Sequence, residues 1–255
     1  MSASAVSMFS FAFSTQTLGE VVETVFQWID EKSRCRYIVP VNVDVLIKQL
    51  DDPDLQAALR GADLVLPDGQ PVVWGSRLLG PGLPERVCGS DLIPAIFEAA
   101  RFRPVRVFLL GAAAGVATEA ARRISQRWTG VAIVGTYSPP YGFERDPDEC
   151  DRILALLAAA KPDVVAVGFG APKQEVWVQR HLERIDARVV ICCGATIDFL
   201  ARAKKRAPRW VRKIHLEWTW RLLSEPRRLA GRYLRGAVLF PWMLGLEVVR
   251  ARRGP

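Results

Sequence analysis

No stretch of this chain reaches the roughly 18 consecutive apolar residues that a bilayer-spanning helix requires, so its 50% hydrophobic composition reads as a folded core. The five cysteines (Cys35, Cys88, Cys150, Cys192 and Cys193) form no CxxC pair and no Cys/His cluster. That excludes a zinc site by spacing, and the odd, scattered count points to reduced thiols in a cytosolic setting. The only two histidines, His181 and His215, lack metal-ligand spacing and read as surface or helix-face residues. There is no GxGxxG turn and no GK[ST] loop, which argues against a dinucleotide-dependent oxidoreductase and a Walker-type nucleotidase. An Asp-x-Asp pair for a catalytic metal is also missing. Asp52-Pro53-Asp54 and Asp146-Pro147-Asp148 look like helix caps with proline in the first turn, so no metal is assigned. Charge is absent from the first 19 residues; Glu20 is the first. Without a basic leader, and with serines between the apolar residues, this stretch is not a secretion signal. Met8 to Phe13 predicts an edge strand, and Thr17 with Glu20 a capping box on the following helix. The chain is expected to stay on the cytoplasmic side.

What charge there is lies unevenly. Residues 201–255 hold 15 Lys and Arg against 3 Asp and Glu, and the rest of the chain holds 20 against 24. Four of the eight tryptophans (Trp210, Trp218, Trp220 and Trp242) share the basic tail. Basic residues interleaved with tryptophan suit an anionic membrane surface or nucleic acid. The order favours membrane: the apolar run Ala237–Leu246 is flanked by Arg232 and Arg235 on one side and Arg250, Arg252 and Arg253 on the other. Such a run is too short to cross a bilayer but can lie in its headgroup layer. A buried C-terminal helix is the other reading, and nucleic acid is disfavoured because no base-reading motif accompanies the charge.

Before the tail, short β-branched runs alternate with helical stretches. Strands are predicted at Arg36–Val39, Ala62–Leu66, Val105–Leu110, Val131–Gly135, Val164–Gly168 and Val189–Cys193, with helices between them. One helix is expected to be capped by Ser90 or Asp91, and another to start at Pro172. Continuous apolar strands separated by helices indicate a parallel sheet covered on both faces. The fold class is therefore α/β: a Rossmann-like catalytic domain over residues 1–200, and a basic, Trp-rich helical appendage over 201–255. A closed eight-stranded barrel would need more regular βα units.

Ligands of such sheets bind beyond the carboxyl ends of the strands. Three segments lie there. Asp68, held after a strand by Pro67 and Gly69, can serve as a general base on a hydroxyl nucleophile, although Pro-Asp-Gly is also an ordinary turn. Gly111 and Gly115 open a helix whose amino end attracts phosphate. Gly168-Phe169-Gly170-Ala171-Pro172-Lys173-Gln174-Glu175 is the most specific. It combines glycines and a cation with free amides at a helix's positive end, a set suited to a diphosphate, and Gln174 or Glu175 can hydrogen-bond a uracil or ribose.

These segments, in this order, resemble the WecG/TagA/CpsF family, glycosyltransferase family 26. The likeness is carried by Ala62–Gly69, Leu83–Asp91, Val107–Gly111, Gly168–Glu175, Ala207-Pro208 and Leu216–Arg228. It implies an inverting, metal-independent transferase without a cofactor, acting in polysaccharide, exopolysaccharide or teichoic acid assembly. The implied donors are UDP-ManNAc, UDP-ManNAcA or UDP-glucose, and the acceptor a polyprenyl-diphosphate-linked sugar at the inner membrane face. By the same resemblance, Asp68 matches the base, Asn42 an active-site asparagine and Arg86 a residue near the sugar. Gln174 and Asp198 match nucleotide contacts. Arg221, Arg228 and Arg232 resemble arginines that close over the diphosphate when the appendage docks on membrane. Where the family often has Thr-Pro-Asn, this chain has Pro40-Val41-Asn42. The same likeness adds self-association to the expectations. The alternative function is a non-catalytic, membrane-associated nucleotide-binding regulator.

Overall fold

The computed structural model describes residues 5–208, 210–211 and 217–253. Eight strands form one sheet: β1 (Ala5–Met8), β2 (Phe11–Ser14), β3 (Arg36–Val41), β4 (Leu64–Pro67), β5 (Val105–Gly111), β6 (Val131–Tyr137), β7 (Val164–Gly168) and β8 (Val189–Cys192). Their spatial order is β1-β2-β4-β3-β8-β7-β5-β6, and every pairing except β1–β2 is parallel. The expected edge strand over Met8–Phe13 is instead two strands of a hairpin. Phe9 and Ser10 take positive φ values of 57° and 66°, a turn conformation that breaks one extended run into two.

Alternation along each strand builds two cores. In β3, Tyr37, Val39 and Val41 face one side and Ile38 the other; Val190 and Cys192 oppose Val189 and Ile191 in β8 in the same way. The first face is covered by α2 (Val43–Lys48), α3 (Pro53–Arg60), α4 (Gln70–Ser76), α7 (Pro147–Ala160) and α8 (Lys173–His181). The second is covered by α1 (Leu18–Glu31), α5 (Gly89–Ala99), α6 (Val116–Arg127) and α9 (Thr196–Leu200). Local chemistry starts several of these helices as expected. Thr17 and Glu20 form the capping box of α1, while Asp52 and Asp146 cap α3 and α7 with proline following. Helix α5 departs from expectation: Cys88 occupies the cap position, and neither Ser90 nor Asp91 bonds there, because Asp91 is drawn away by two arginines. Helix α8 starts one residue later than expected, with Pro172 at its cap.

Past α9 the chain forms α10 (Glu217–Ser224) and the 28-residue α11 (Pro226–Arg253). Helix α11 has both a buried and an exposed side, so the tail is a C-terminal helix that is buried only in part. Phe240 and Met243 enter the first core, with the Phe240 ring 5.9 Å from Phe9. Gly75 of α4 lets Leu244 and Phe240 approach closely, and Arg232 and Arg235 reach Asp44 and Asp51, each at 3.4 Å. Leu234, Val238, Trp242, Leu246 and Val249 face outward. Because Phe240 is buried in the first core, Phe240→Ala is expected to lower unfolding stability by about 3 kcal/mol, read as a reduced urea midpoint at unchanged slope. Among the described residues no helix is long and apolar enough to cross a membrane.

Candidate active site

The chain reverses direction across the sheet at β3. After β3 it runs through α2 and α3 to β4 on one side, whereas β8 lies on the other and leads into α9 on the opposite face. Connections departing to opposite faces leave a crevice at the carboxyl ends of β3 and β8. Pro40 helps to open it. Arg36 donates its N–H toward β8 at Arg188, while the Tyr37 and Val41 carbonyls accept from Asp63 and Asp68 on the β4 side. By alternation Pro40 turns a nitrogen without hydrogen toward β8, and the β3–β8 register ends at Ile38 and Ile191.

Asn42 stands at this opening. It caps α2, its side-chain oxygen accepting from the Val45 N–H at 3.2 Å. That use of the oxygen turns the amide nitrogen toward Asp68, where Nδ2 donates to Oδ2 at 3.4 Å. Asp68 itself is anchored through its N–H to the Val41 carbonyl at 2.9 Å, and Gly69 follows with φ 139°, which L side chains rarely adopt. Arg86 lies 4.0 Å from Asp68. Asn42, Asp68 and Arg86, all singled out from the sequence, thus share one corner of the crevice.

Arg86 is the centre of a larger network that the sequence did not reveal. Its guanidinium pairs with Asp91 at 2.7 Å and Glu217 at 3.4 Å and donates to the Cys88 sulfur at 3.0 Å. The Cys88 thiol in turn donates to Asp91. Burial alone would lower the Arg86 pKa, but Cys88, Asp68, Asp91 and Glu217 raise it above the ordinary arginine value. Burial pushes the Cys88 thiol up to about 12, reinforced by Asp68 and Asp91, so it stays protonated and donates. Although burial works the other way, Arg206, the thiol and Arg86 hold the Asp91 carboxyl below its usual range. Asp91 and Arg86 belong to one loop and helix start, but no residue pattern links them to Arg206 or Glu217, so their convergence is a product of tertiary folding.

The glycine loops form the other half of the crevice. A Cβ on Gly111 (φ +113°) would sit 2.8 Å from the Gly168 backbone, and one on Gly168 would sit 2.8 Å from the Gly194 carbonyl. These glycines let the turns after β5, β7 and β8 pack backbone to backbone. Gly170, by contrast, has open space where a side chain would be. Gln174 clips two of these turns together: its Oε1 accepts from the Gly170 and Gly194 N–H groups at 3.3 and 3.2 Å, and its Nε2 donates to Glu175 at 2.7 Å. Burial raises the pKa of Glu175, which is fully enclosed beneath the loop. Asp198, in α9, pairs with Lys204 at 3.5 Å. Lys173 points elsewhere, to Glu144 at 2.9 Å, where it lines an open groove of about 470 Å³ between α3, α7 and α8. Arg232 rests on Asp44 beside the crevice. Arg221 and Arg228 fall on α10 and α11, but their side chains lie outside the described residues, as does His215. His181 stacks on Trp177 along α8 at 4.8 Å.

Asp68 and Gly168 end strands separated by β3 and β8. Three interstrand spacings put them about 14 Å apart on the same edge of the sheet. The arrangement offers a carboxylate and a guanidinium at one end of the crevice and glycine turns at the other. Among the described residues no three His, Cys, Asp or Glu side chains converge as a metal site.

Sequence comparison gives this geometry a context. The profile of the glycosyl transferase WecG/TagA/CpsF family matches residues 6–254. An N-acetylglucosaminyldiphosphoundecaprenol N-acetyl-beta-D-mannosaminyltransferase of Bacillus spizizenii is 33% identical over 198 residues, 78% of this chain and 75% of that protein. Proteins of the same description from Bacillus subtilis and Staphylococcus aureus are 31% and 28% identical, covering 79% and 85% of this chain and 76% and 84% of theirs. With the profile spanning nearly its whole length, the chain belongs to the WecG/TagA/CpsF family of glycosyl transferases.

Proposed function

We propose that the protein transfers N-acetylmannosamine, or a closely related hexose, from its UDP-sugar to a polyprenyl-diphosphate-linked N-acetylglucosamine at a membrane surface. The observation that carries this reading is Asp68, which projects from the end of β4 into the switch crevice with Asn42 and Arg86 beside it. In the proposed reaction an acceptor hydroxyl attacks the anomeric carbon opposite the diphosphate. The new C–O bond forms as the bond to the leaving UDP breaks, and the hydroxyl proton passes to Asp68, so the anomeric configuration inverts. Asn42 orients the carboxylate. The amides of the turns at Gly111, Gly168 and Gly170 and the amino ends of α6 and α8 meet the diphosphate, with Arg221, Arg228 and Arg232 adding positive charge in place of a metal. Gln174 and Asp198 shape the nucleotide end, and Glu175 sets the orientation of Gln174.

The outward side of α11 supports the location. Its exposed apolar residues lie between Arg232 and Arg250, and exposed Trp210 and Trp218 stand in the same appendage. An apolar stripe with flanking arginines suits the headgroup layer of an anionic bilayer. The test uses the full chain, vesicles carrying N-acetylglucosaminyl-diphosphoundecaprenol, and UDP-ManNAc, UDP-ManNAcA or UDP-glucose in the presence of EDTA. Acceptor-dependent UDP release with one donor, and an inverted anomeric centre in the product, are expected. Nucleotide binding without acceptor-dependent release would instead favour the non-catalytic regulator.

A further inference from the structure

Arg86 and Arg206 alternate with Asp91 and Glu217 in a closed ring of ion pairs. Arg86 lies 2.7 Å from Asp91 and 3.4 Å from Glu217; Arg206 lies 2.6 Å from Asp91 and 3.5 Å from Glu217. The four side chains are 18–23% exposed, sheltered enough for charge to act strongly between them. They come from four places: the loop before α5, the first turn of α5, the stretch after α9, and the first residue of α10.

The ring decides where the Arg86 guanidinium points. Its Nη2 is held by Asp91, and its Nη1 by Glu217 and the Cys88 sulfur. The same Nη1 is 4.0 Å from Asp68, beyond hydrogen-bond range. A guanidinium and a carboxylate left to themselves close to about 2.8 Å, often through two parallel bonds. Glu217 competes with Asp68 for that nitrogen. If its charge is removed, Asp68, 4.0 Å away, remains as a carboxylate competing for Nη1, and a closed pair there would engage the group proposed to take the proton.

We infer that Glu217 is a positioning residue: from the appendage, it holds Arg86 at a stand-off from Asp68. The inference rests on Asp68 being the base. Its consequence is that docking of the segment beginning at Glu217 reaches the reacting end of the crevice through Arg86, in addition to anything the appendage does at the membrane.

The test compares Glu217→Gln, Glu217→Asp and Asp91→Asn in the full chain, with acceptor vesicles and the donor accepted by the parent protein. Glu217→Gln is expected to lower kcat about tenfold, with donor KM and vesicle binding changed less than twofold and an unfolding temperature within a few degrees of the parent. Glu217→Asp, which keeps the charge on a shorter arm, should recover most of the loss. Asp91→Asn loosens Arg86 from its other side and should give the same kcat-only defect, which keeps the test informative if Glu217→Gln does not fold. A parental kcat in Glu217→Gln would overturn the inference. So would a loss that follows vesicle binding or thermal stability, or an aspartate no better than glutamine. Asp68→Asn assayed in parallel separates the two ideas. If it turns over normally, the base assignment fails; if it is inactive while Glu217→Gln is normal, only the role of Glu217 fails.

Discussion

Asp68→Asn is expected to reduce sugar transfer roughly a thousandfold while leaving UDP affinity within about twofold of the parent protein. A positioned general base contributes about 10² to 10⁴ in rate, and the amide cannot take the acceptor's proton. The exchange is nearly isosteric. The backbone bond from residue 68 to Val41 does not involve the side chain, and the glycine turns proposed to hold the diphosphate end strands on the far side of β3 and β8. The loss should therefore fall on kcat, with donor KM little changed. Initial rates of radiolabelled sugar transfer to lipid, together with calorimetric UDP binding, read the two quantities separately. Near-parental turnover would remove Asp68 as the base. A parallel collapse of UDP affinity would mean that the carboxylate organises the whole crevice and is no local proton acceptor.

Much of this geometry was legible from residue patterns because it is local. A carboxylate between proline and glycine at the end of an apolar run must project near the sheet edge, and Asp68 does. Asp52 and Asp146 were legible as caps because a cap is a matter of one turn. What escaped was set by contacts between distant segments. Asp91 has the position of a capping residue, yet Arg86 and Arg206 outcompete the backbone amides for it. Arg206 looked like one more charge in a basic tail, and only the folded chain puts it against Asp91 and Glu217, a residue 126 positions from Asp91 in the sequence. Gln174 is similar: its place beside the glycine turns follows from sequence, but its bond to Gly194 depends on how β7 and β8 pair. Glu175 could be read as a ligand contact only while its burial was unknown.

Replacing Val238 and Trp242 together by aspartate is expected to release the protein from anionic vesicles. Both side chains are more than half exposed and lie one helical turn apart on α11, with Leu234 one turn before them and Leu246 one turn after. Exposed apolar residues at this spacing form a stripe that the protein itself leaves uncovered, while Phe240 and Met243 on the same helix are buried. Withdrawing each apolar side chain from the headgroup layer costs about 2 kcal/mol, so the pair should lower vesicle partitioning roughly a thousandfold. Folding should be unaffected within about 0.5 kcal/mol, because neither side chain packs in a core. Transfer to the undecaprenyl-linked acceptor should fall in proportion to partitioning, whereas transfer to a short-chain, water-soluble acceptor should survive. Sedimentation with phosphatidylglycerol vesicles, repeated at rising salt, divides the apolar contribution from that of the arginines, since only the latter is screened. If the double variant sediments like the parent, the stripe does not face the membrane. If it loses activity equally on both acceptors, then α11 acts on the crevice directly, through the Arg232–Asp44 pair, and not by bringing enzyme to lipid.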